Sequence, residues 1–241
     1  MPIYSLTKLM TDQFTTDDTS KQPESALSQP PLESSQCSSV IIRWVSKTRH
    51  LAVCGRAPSI RLWDCQTEML AHEINTESES GVTALSASSL LTAGFCSGGV
   101  ASWDARCLSP AHRLSPSRSP VLATCLRDNS LTTVAAAGEV TVHDVRKLSD
   151  SVHSVKCGGL LAADVHPVAG MVACGSTNQC ILMYDSRLTL QNTIKFHEGF
   201  MGARIGPVSC LAFHPLIPAL GAGGKDATLS VYTAARSQPE R

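Results

Sequence analysis

Ile60-Arg61-Leu62-Trp63-Asp64 returns along the chain as Val100-Ala101-Ser102-Trp103-Asp104, Val140-Thr141-Val142-His143-Asp144 and Ile181-Leu182-Met183-Tyr184-Asp185. The four aspartates stand at 64, 104, 144 and 185, a period of 40, 40 and 41 residues. A fifth copy, Leu229-Ser230-Val231-Tyr232, follows after a longer interval and lacks the aspartate. Within a copy, apolar residues alternate with others, Ile60 and Leu62 against Ser59 and Arg61. That is the period of a strand with one buried face.

Each copy is preceded by a strand of small residues, near 51–55, 91–94, 133–137, 171–175 and 219–223. Ahead of these lies a further strand, near 41–45, 82–86, 121–126, 161–165 and 208–213. Two of the latter run into His166-Pro167 and His214-Pro215, where proline ends the strand and begins a turn.

A period near 40 with several short strands per unit is that of the WD repeat, in which each unit is one four-stranded antiparallel blade of a β-propeller. One blade alone cannot bury its faces, but blades stacked around an axis can. The sequence therefore predicts an all-β chain of about five blades, near 40–75, 82–114, 121–155, 160–194 and 208–235. Trp63, Trp103 and Tyr184, with His143 and Tyr232 at the matching positions, are expected to be structural, as are Asp64, Asp104, Asp144 and Asp185. Gly55, Gly94, Gly138, Gly175 and Gly223 suit tight strand ends.

The repeats are degenerate. Strong WD repeats carry an aspartate in the turn before the third strand, and here only Asp226 keeps it, with Asn178 in the matching turn of the fourth blade. No Gly-His dipeptide occurs, so the hydrogen-bonded tetrad of such repeats is mostly absent and packing must compensate. The fifth blade shows no outer strand. Either the blades close with N-terminal residues such as 3–9, or they are part of a larger ring, since an open edge invites aggregation.

Residues 1–39 are mostly Ser, Thr, Gln, Pro, Asp and Glu beyond position 10 and are expected to form a disordered arm, with 40–235 as blades and 236–241 as a flexible tail. Lys+Arg and Asp+Glu are each 20, so the net charge is zero and nothing pulls the chain toward nucleic acid. No apolar run approaches the roughly 20 residues that cross a bilayer, so no membrane insertion is expected. The ten cysteines form no CxxC pair and no zinc-spaced cluster with histidine, and most sit in apolar stretches, as reduced core thiols of an intracellular protein do. No G-x-S-x-G, P-loop, H-E-x-x-H or dinucleotide-binding motif occurs, so no catalytic residue, cofactor site or metal site is assigned. The expectation is a non-enzymatic protein-interaction scaffold.

Two features suit a protein contact. Residues 195–207 lengthen one inter-blade connection and mix Phe196, Phe200 and Met201 with His197, Glu198 and Arg204. The alternative is that Phe200 and Met201 fold back and plug the mouth of the propeller. The second feature is D-x-R after the third strand, in Asp104-Ala105-Arg106, Asp144-Val145-Arg146 and Asp185-Ser186-Arg187. With Trp103 the first reads W-D-x-R, which resembles the signature of propellers that act as substrate receptors of cullin–RING ubiquitin ligases, with Arg106 facing the adaptor. The alternative is that Arg106 pairs with a neighbouring blade's aspartate and fixes the blade angle.

The last two blades resemble one family closely. Ala163-Asp164-Val165-His166-Pro167, Val172-Ala173-Cys174-Gly175-Ser176, Gly199-Phe200-Met201-Gly202 and Ser209-Cys210-Leu211-Ala212-Phe213-His214-Pro215 are similar to the C-terminus of Raptor, the regulatory-associated partner of the TOR kinase. A weaker match extends back to about Val40, and residues 1–39 show none. The resemblance implies an adaptor subunit of TOR complex 1 in nutrient-responsive growth signalling. Its partners would be TOR kinase complex components, in the cytoplasm and, as part of a complex, at the lysosomal surface. It also implies an incomplete part of a seven-bladed ring, since Raptor proteins are much longer and carry a caspase-like domain and a helical solenoid ahead of their propeller. Those upstream parts hold most of the kinase contact and the substrate-motif pocket, so substrate recruitment is assigned to no residue here.

Overall fold

The computed structural model describes residues 40–45, 48–76, 80–196 and 204–233. All regular structure there is strand, nineteen in number, in five antiparallel sheets. The first sheet is β1 (Ile41–Val45), β2 (His50–Cys54), β3 (Ser59–Asp64) and β4 (Met69–Asn75). The second is β5 (Val82–Ala87), β6 (Leu91–Phe95), β7 (Val100–Trp103) and β8 (Pro110–Leu114). The third is β9 (Val121–Arg127), β10 (Ser130–Ala135), β11 (Glu139–Asp144) and β12 (Lys147–Lys156). The fourth is β13 (Leu160–Val165), β14 (Val172–Ser176), β15 (Cys180–Tyr184) and β16 (Leu190–Ile194). The fifth has three strands among the described residues, β17 (Val208–Phe213), β18 (Ala219–Gly224) and β19 (Leu229–Thr233). Within every sheet the strands follow chain order, so each is a simple meander and one blade of a partial propeller.

The first strands of successive blades lie against one another in series, β1 on β5, β5 on β9, β9 on β13 and β13 on β17. Polar bonds hold this inner row. Arg43 donates to the Leu85 carbonyl at 3.1 Å, Thr83 to Val121 at 2.7 Å and Ser88 to Leu126 at 2.7 Å. No comparable packing joins β17 to β1 among the described residues, so the row stays open.

Side chains fill the spaces between blades with a fixed handedness. Ile60 and Leu62 on β3 point to the next blade and share a cluster with Leu85, Leu91 and Trp103. Val100 on β7 packs likewise on Val121 and Leu131, Val140 on β11 with Leu160 and Tyr184, and Ile181 on β15 with Val208 and Leu220. The aromatic on each third strand points the other way, to the preceding blade. Trp103 and Tyr184 are buried for that reason, while Trp63, with no blade before it among the described residues, is only half-buried. Tyr232 is half-buried against the fourth blade.

Where the tetrad of stronger repeats is missing, simpler pairs satisfy the buried polar atoms. Thr92 and Ser102 meet at 2.9 Å across β6 and β7, and Thr133 and Thr141 at 2.7 Å across β10 and β11. The carboxylate of Asp226 lies at the surface and accepts from the Thr228 amide and hydroxyl, so it closes its own turn. All nine described cysteines are free thiols. Cys54, Cys125, Cys174 and Cys180 are buried, and burial pushes the Cys54 thiol up to about 12 and that of Cys125 to about 11. Cys107 and Cys210 are exposed, so the core-thiol expectation does not extend to them.

Candidate functional site

The meander assigns each loop to one end of the blades. First-to-second and third-to-fourth strand turns share one end; second-to-third turns and blade-to-blade connections share the other. The D-x-R turns and the His-Pro turns therefore lie at one end, and the described base of the last blade-to-blade connection, at Lys195–Phe196 and Arg204–Pro207, at the opposite end. The two candidate contacts cannot belong to one surface.

At the first end the aspartates have a local task. Asp64 accepts the Gln66 amide at 2.8 Å, Asp104 the Arg106 amide at 2.9 Å, Asp144 the Arg146 amide at 3.0 Å and Asp185 the Arg187 amide at 2.9 Å. Each is an Asx-turn that starts the hairpin into the fourth strand. The Arg146 guanidinium turns back onto Asp144, with bonds of 3.1 and 2.9 Å, and its hydrogen bonds hold that carboxyl below the usual carboxylate range. Arg106 lies 3.5 Å from its own Asp104. Arg106 and Arg146 thus fold over their own turns, so the alternative in which Arg106 pairs with a neighbouring blade's aspartate gives way to a contact within its own turn. No geometry at these turns favours a ligase-adaptor contact.

The same end is shaped by two histidines whose task the sequence did not reveal. The Nδ1 of His166 accepts the Val168 and Ala169 amides, both at 3.1 Å, and that of His214 accepts the Leu216 and Ile217 amides at 3.1 and 3.2 Å. Each ring caps the turn that its proline begins, and Val168, Leu216 and Ile217 are left exposed beside them.

At the opposite end, residues 197–203 lie outside the described residues, and with them Phe200 and Met201. The base of the loop is held by backbone bonds. Phe196 bridges Arg204 in antiparallel fashion, and the Ile205 amide donates to Lys195 at 3.1 Å. Ile205 is buried between the last two blades, and the Arg204 guanidinium donates to the Asn178 carbonyl at 3.1 Å, which ties the loop to the β14–β15 turn. Phe196 is 59% exposed, so this aromatic does not plug the array. An exposed ring beside an exposed, hydrogen-bonded guanidinium on a pinned base is chemistry suited to a protein contact.

Two polar groups between blades carry more than packing. Asp164 on β13 accepts the Phe213 amide of β17 at 2.7 Å. Burial raises its carboxyl above the ordinary value, against the pull of that hydrogen bond and of Arg43. Asp164→Ala should leave the Phe213 amide without an acceptor and cost about 1–3 kcal/mol in denaturant unfolding, whereas Asp164→Asn keeps an acceptor and should cost clearly less.

His143 stands where the other blades carry an aromatic. It is 8% exposed and its Nδ1 has no partner. Burial alone holds its pKa below the usual imidazole value. A histidine lowered in the folded state takes up its proton more readily when unfolded. The stability it leaves intact at neutral pH is therefore lost as pH falls below about 6.5. His143→Phe should be at least as stable as the wild type at pH 7.5 and should unfold less readily than it at pH 5.5. Parallel pH slopes for the two proteins would refute this.

Among the described residues no group of three or more His, Cys, Asp or Glu side chains is placed to hold a metal ion, and no helix is long and apolar enough to cross a membrane. No family model matches the chain. It is 32% identical over 211 residues to regulatory-associated protein of TOR 1 from Arabidopsis thaliana, an alignment covering 82% of this chain and 16% of that protein. It is 31% identical to the protein raptor homolog of Dictyostelium discoideum, over 80% of this chain and 14% of that one. The chain thus spans about a sixth of the length of these relatives. The crystal structure of Chaetomium thermophilum Raptor superposes with a TM-score of 0.72 at 20% identity, covering 83% of this chain and 20% of that one, a likeness of fold. Across the four-fifths of its length that aligns, the chain belongs to the Raptor family, and its blades form a partial WD-repeat propeller.

Proposed function

We propose that this chain is the propeller portion of a non-enzymatic adaptor of TOR complex 1, acting in nutrient-responsive growth signalling. It would reside in the cytoplasm and reach the lysosomal surface as part of the complex. The alignment with TOR-associated relatives along most of the chain carries this reading. The fission yeast relative, 26% identical, is named as target of rapamycin complex 1 subunit mip1. Phe196 and Arg204 are the described part of the partner contact, with Phe200 and Met201 completing it.

The test is co-purification of the tagged chain with TOR kinase complex components from cells. The wild type should bring them down. A Phe196→Ala/Arg204→Ala double variant should retain its melting temperature and lose capture by about tenfold or more, the effect of losing one or two hot-spot side chains. A variant that melts lower yet captures normally would remove the contact, and a wild-type chain that captures no complex component would remove the adaptor reading.

A further inference from the structure

The chain holds three serine–proline pairs, Ser109-Pro110, Ser115-Pro116 and Ser119-Pro120, and no threonine–proline pair. A serine followed by proline is the pattern read by proline-directed protein kinases. Their cleft takes a chain that is extended at the serine and has no amide donor at the next position. Some of them also read a cation three residues after the serine, through carboxylates of the kinase. Only Ser115 meets that second demand. Ser115-Pro116-Ser117-Arg118 places Arg118 there, where Ser109 has His112 and Ser119 has Leu122.

The fold separates the three serines in the same way. Ser109 closes a D-x-R turn. Its carbonyl accepts the Asp104 amide at 3.0 Å, its hydroxyl meets the Cys107 thiol at 3.0 Å, and Leu108 before it is left-handed, with φ of +57°. That kink does not fit an extended cleft. Ser119 is half-buried and stitched to the β10–β11 turn. Its hydroxyl oxygen accepts the Ala137 amide at 3.0 Å, and the Pro120 carbonyl accepts the Ala136 amide at 2.8 Å.

Ser115 follows directly on β8, the outermost strand of its blade, and lies exposed outside any turn. Its hydroxyl makes no hydrogen bond among the described residues. Pro116 behind it favours an extended serine backbone. Ser117 is 8% exposed and bonded within the connection, to Ser119. It occupies the position that the pattern leaves unread. Arg118, one residue on, is exposed again.

We propose that Ser115 is a phosphorylation site for a proline-directed serine/threonine kinase that reads a cation at the third following position. The Ser115 Oγ attacks the γ-phosphorus of ATP and forms the new O–P bond, while the bond from that phosphorus to the β–γ bridging oxygen breaks. ADP leaves with the electron pair, and the hydroxyl proton passes to the kinase's catalytic aspartate. The product places a charge of about −2 close to Arg118. It lies at the same end of the blades as Phe196 and Arg204, two blade-to-blade connections before them.

The folded 241-residue chain, incubated with a purified cyclin-dependent kinase and magnesium ATP, tests this by phosphosite mapping with mass spectrometry. Phosphate is expected on Ser115 and on neither Ser109 nor Ser119, and Ser115→Ala should lose that product. Arg118→Ala should slow incorporation about tenfold or more, the loss of one charge-assisted contact, and Arg118→Lys should restore most of it. The chain purified from eukaryotic cells treated with a phosphatase inhibitor should carry the same phosphate, and its absence there would overturn the site. Preference for Ser109 or Ser119, a rate indifferent to Arg118, or a folded chain that stays unmodified while a peptide of residues 110–122 is modified would overturn it equally.

Discussion

Gly138→Ala should cost at least about 3 kcal/mol in denaturant unfolding, enough to threaten docking of the third and fourth blades. Gly138 has φ of +92°, which an alanine adopts only with strain, and a Cβ built there would run into the backbone carbonyl of Gly158. The approach is tight because the β10–β11 turn is laced to the connection between β12 and β13. The Cys157 amide donates to the Gly138 carbonyl at 3.0 Å, and the Leu160 amide to Ala136 at 2.9 Å. Moving either backbone breaks those bonds. Gly158 supplies an internal control. Its φ is +77°, yet a Cβ there meets open space. Gly158→Ala should cost only the strain of the left-handed region, about 1–2 kcal/mol. Equal losses for the two variants would show that the close approach contributes nothing.

Trp103→Ala should destabilise the protein by about 3–5 kcal/mol, the usual cost of emptying a large buried aromatic site. Trp103 is 4% exposed and packed among Ile60, Leu62 and Ile74 of the preceding blade. Trp63 occupies the same position in its own blade but is half-buried. Trp63→Ala should therefore cost less than half as much. Chemical denaturation of the two variants side by side decides the point. Similar losses would mean that Trp63 is covered by a part of the protein outside the described residues.

That contrast shows what could be read from the sequence and what could not. The third strands and the spacing of blades were legible, because a period near 40 with alternating apolar residues has few other solutions. The unequal burial of Trp63 and Trp103 was not. It depends on whether a preceding blade exists to receive the ring, and the repeat motif is the same in both cases. The aspartate of D-x-R was recognised as structural, but its role as the cap of its own turn was not. An aspartate two residues before a turn amide caps that amide first, and the nearest arginine then folds onto the same carboxylate, so no inter-blade partner is needed. The inter-blade bond from Phe213 to Asp164 was also out of reach, since it joins residues 49 positions apart through a backbone amide that carries no side-chain signature. Of the candidate contact, the placement of Phe196 and Arg204 emerged only from the hairpin that closes the loop base.

The serial packing of β1, β5, β9, β13 and β17 makes the blade row a one-dimensional chain of neighbours. In such an array the folding free energy approximates a sum of blade and interface contributions. Among the described residues an interior blade is held by two interfaces, and the first and fifth blades by one each. Local opening should then run inward from the termini, and the amide-exchange profile should be a gradient, slowest in β9 and β10 and fastest in β17 to β19 and β1. The proposed contact at Phe196 and Arg204 sits at the junction of the fourth and fifth blades, close to the fast-exchanging end of the row. A partner that clasps this loop would bind the least persistent junction of the array, and part of its binding energy would appear as protection of the fifth blade against unfolding.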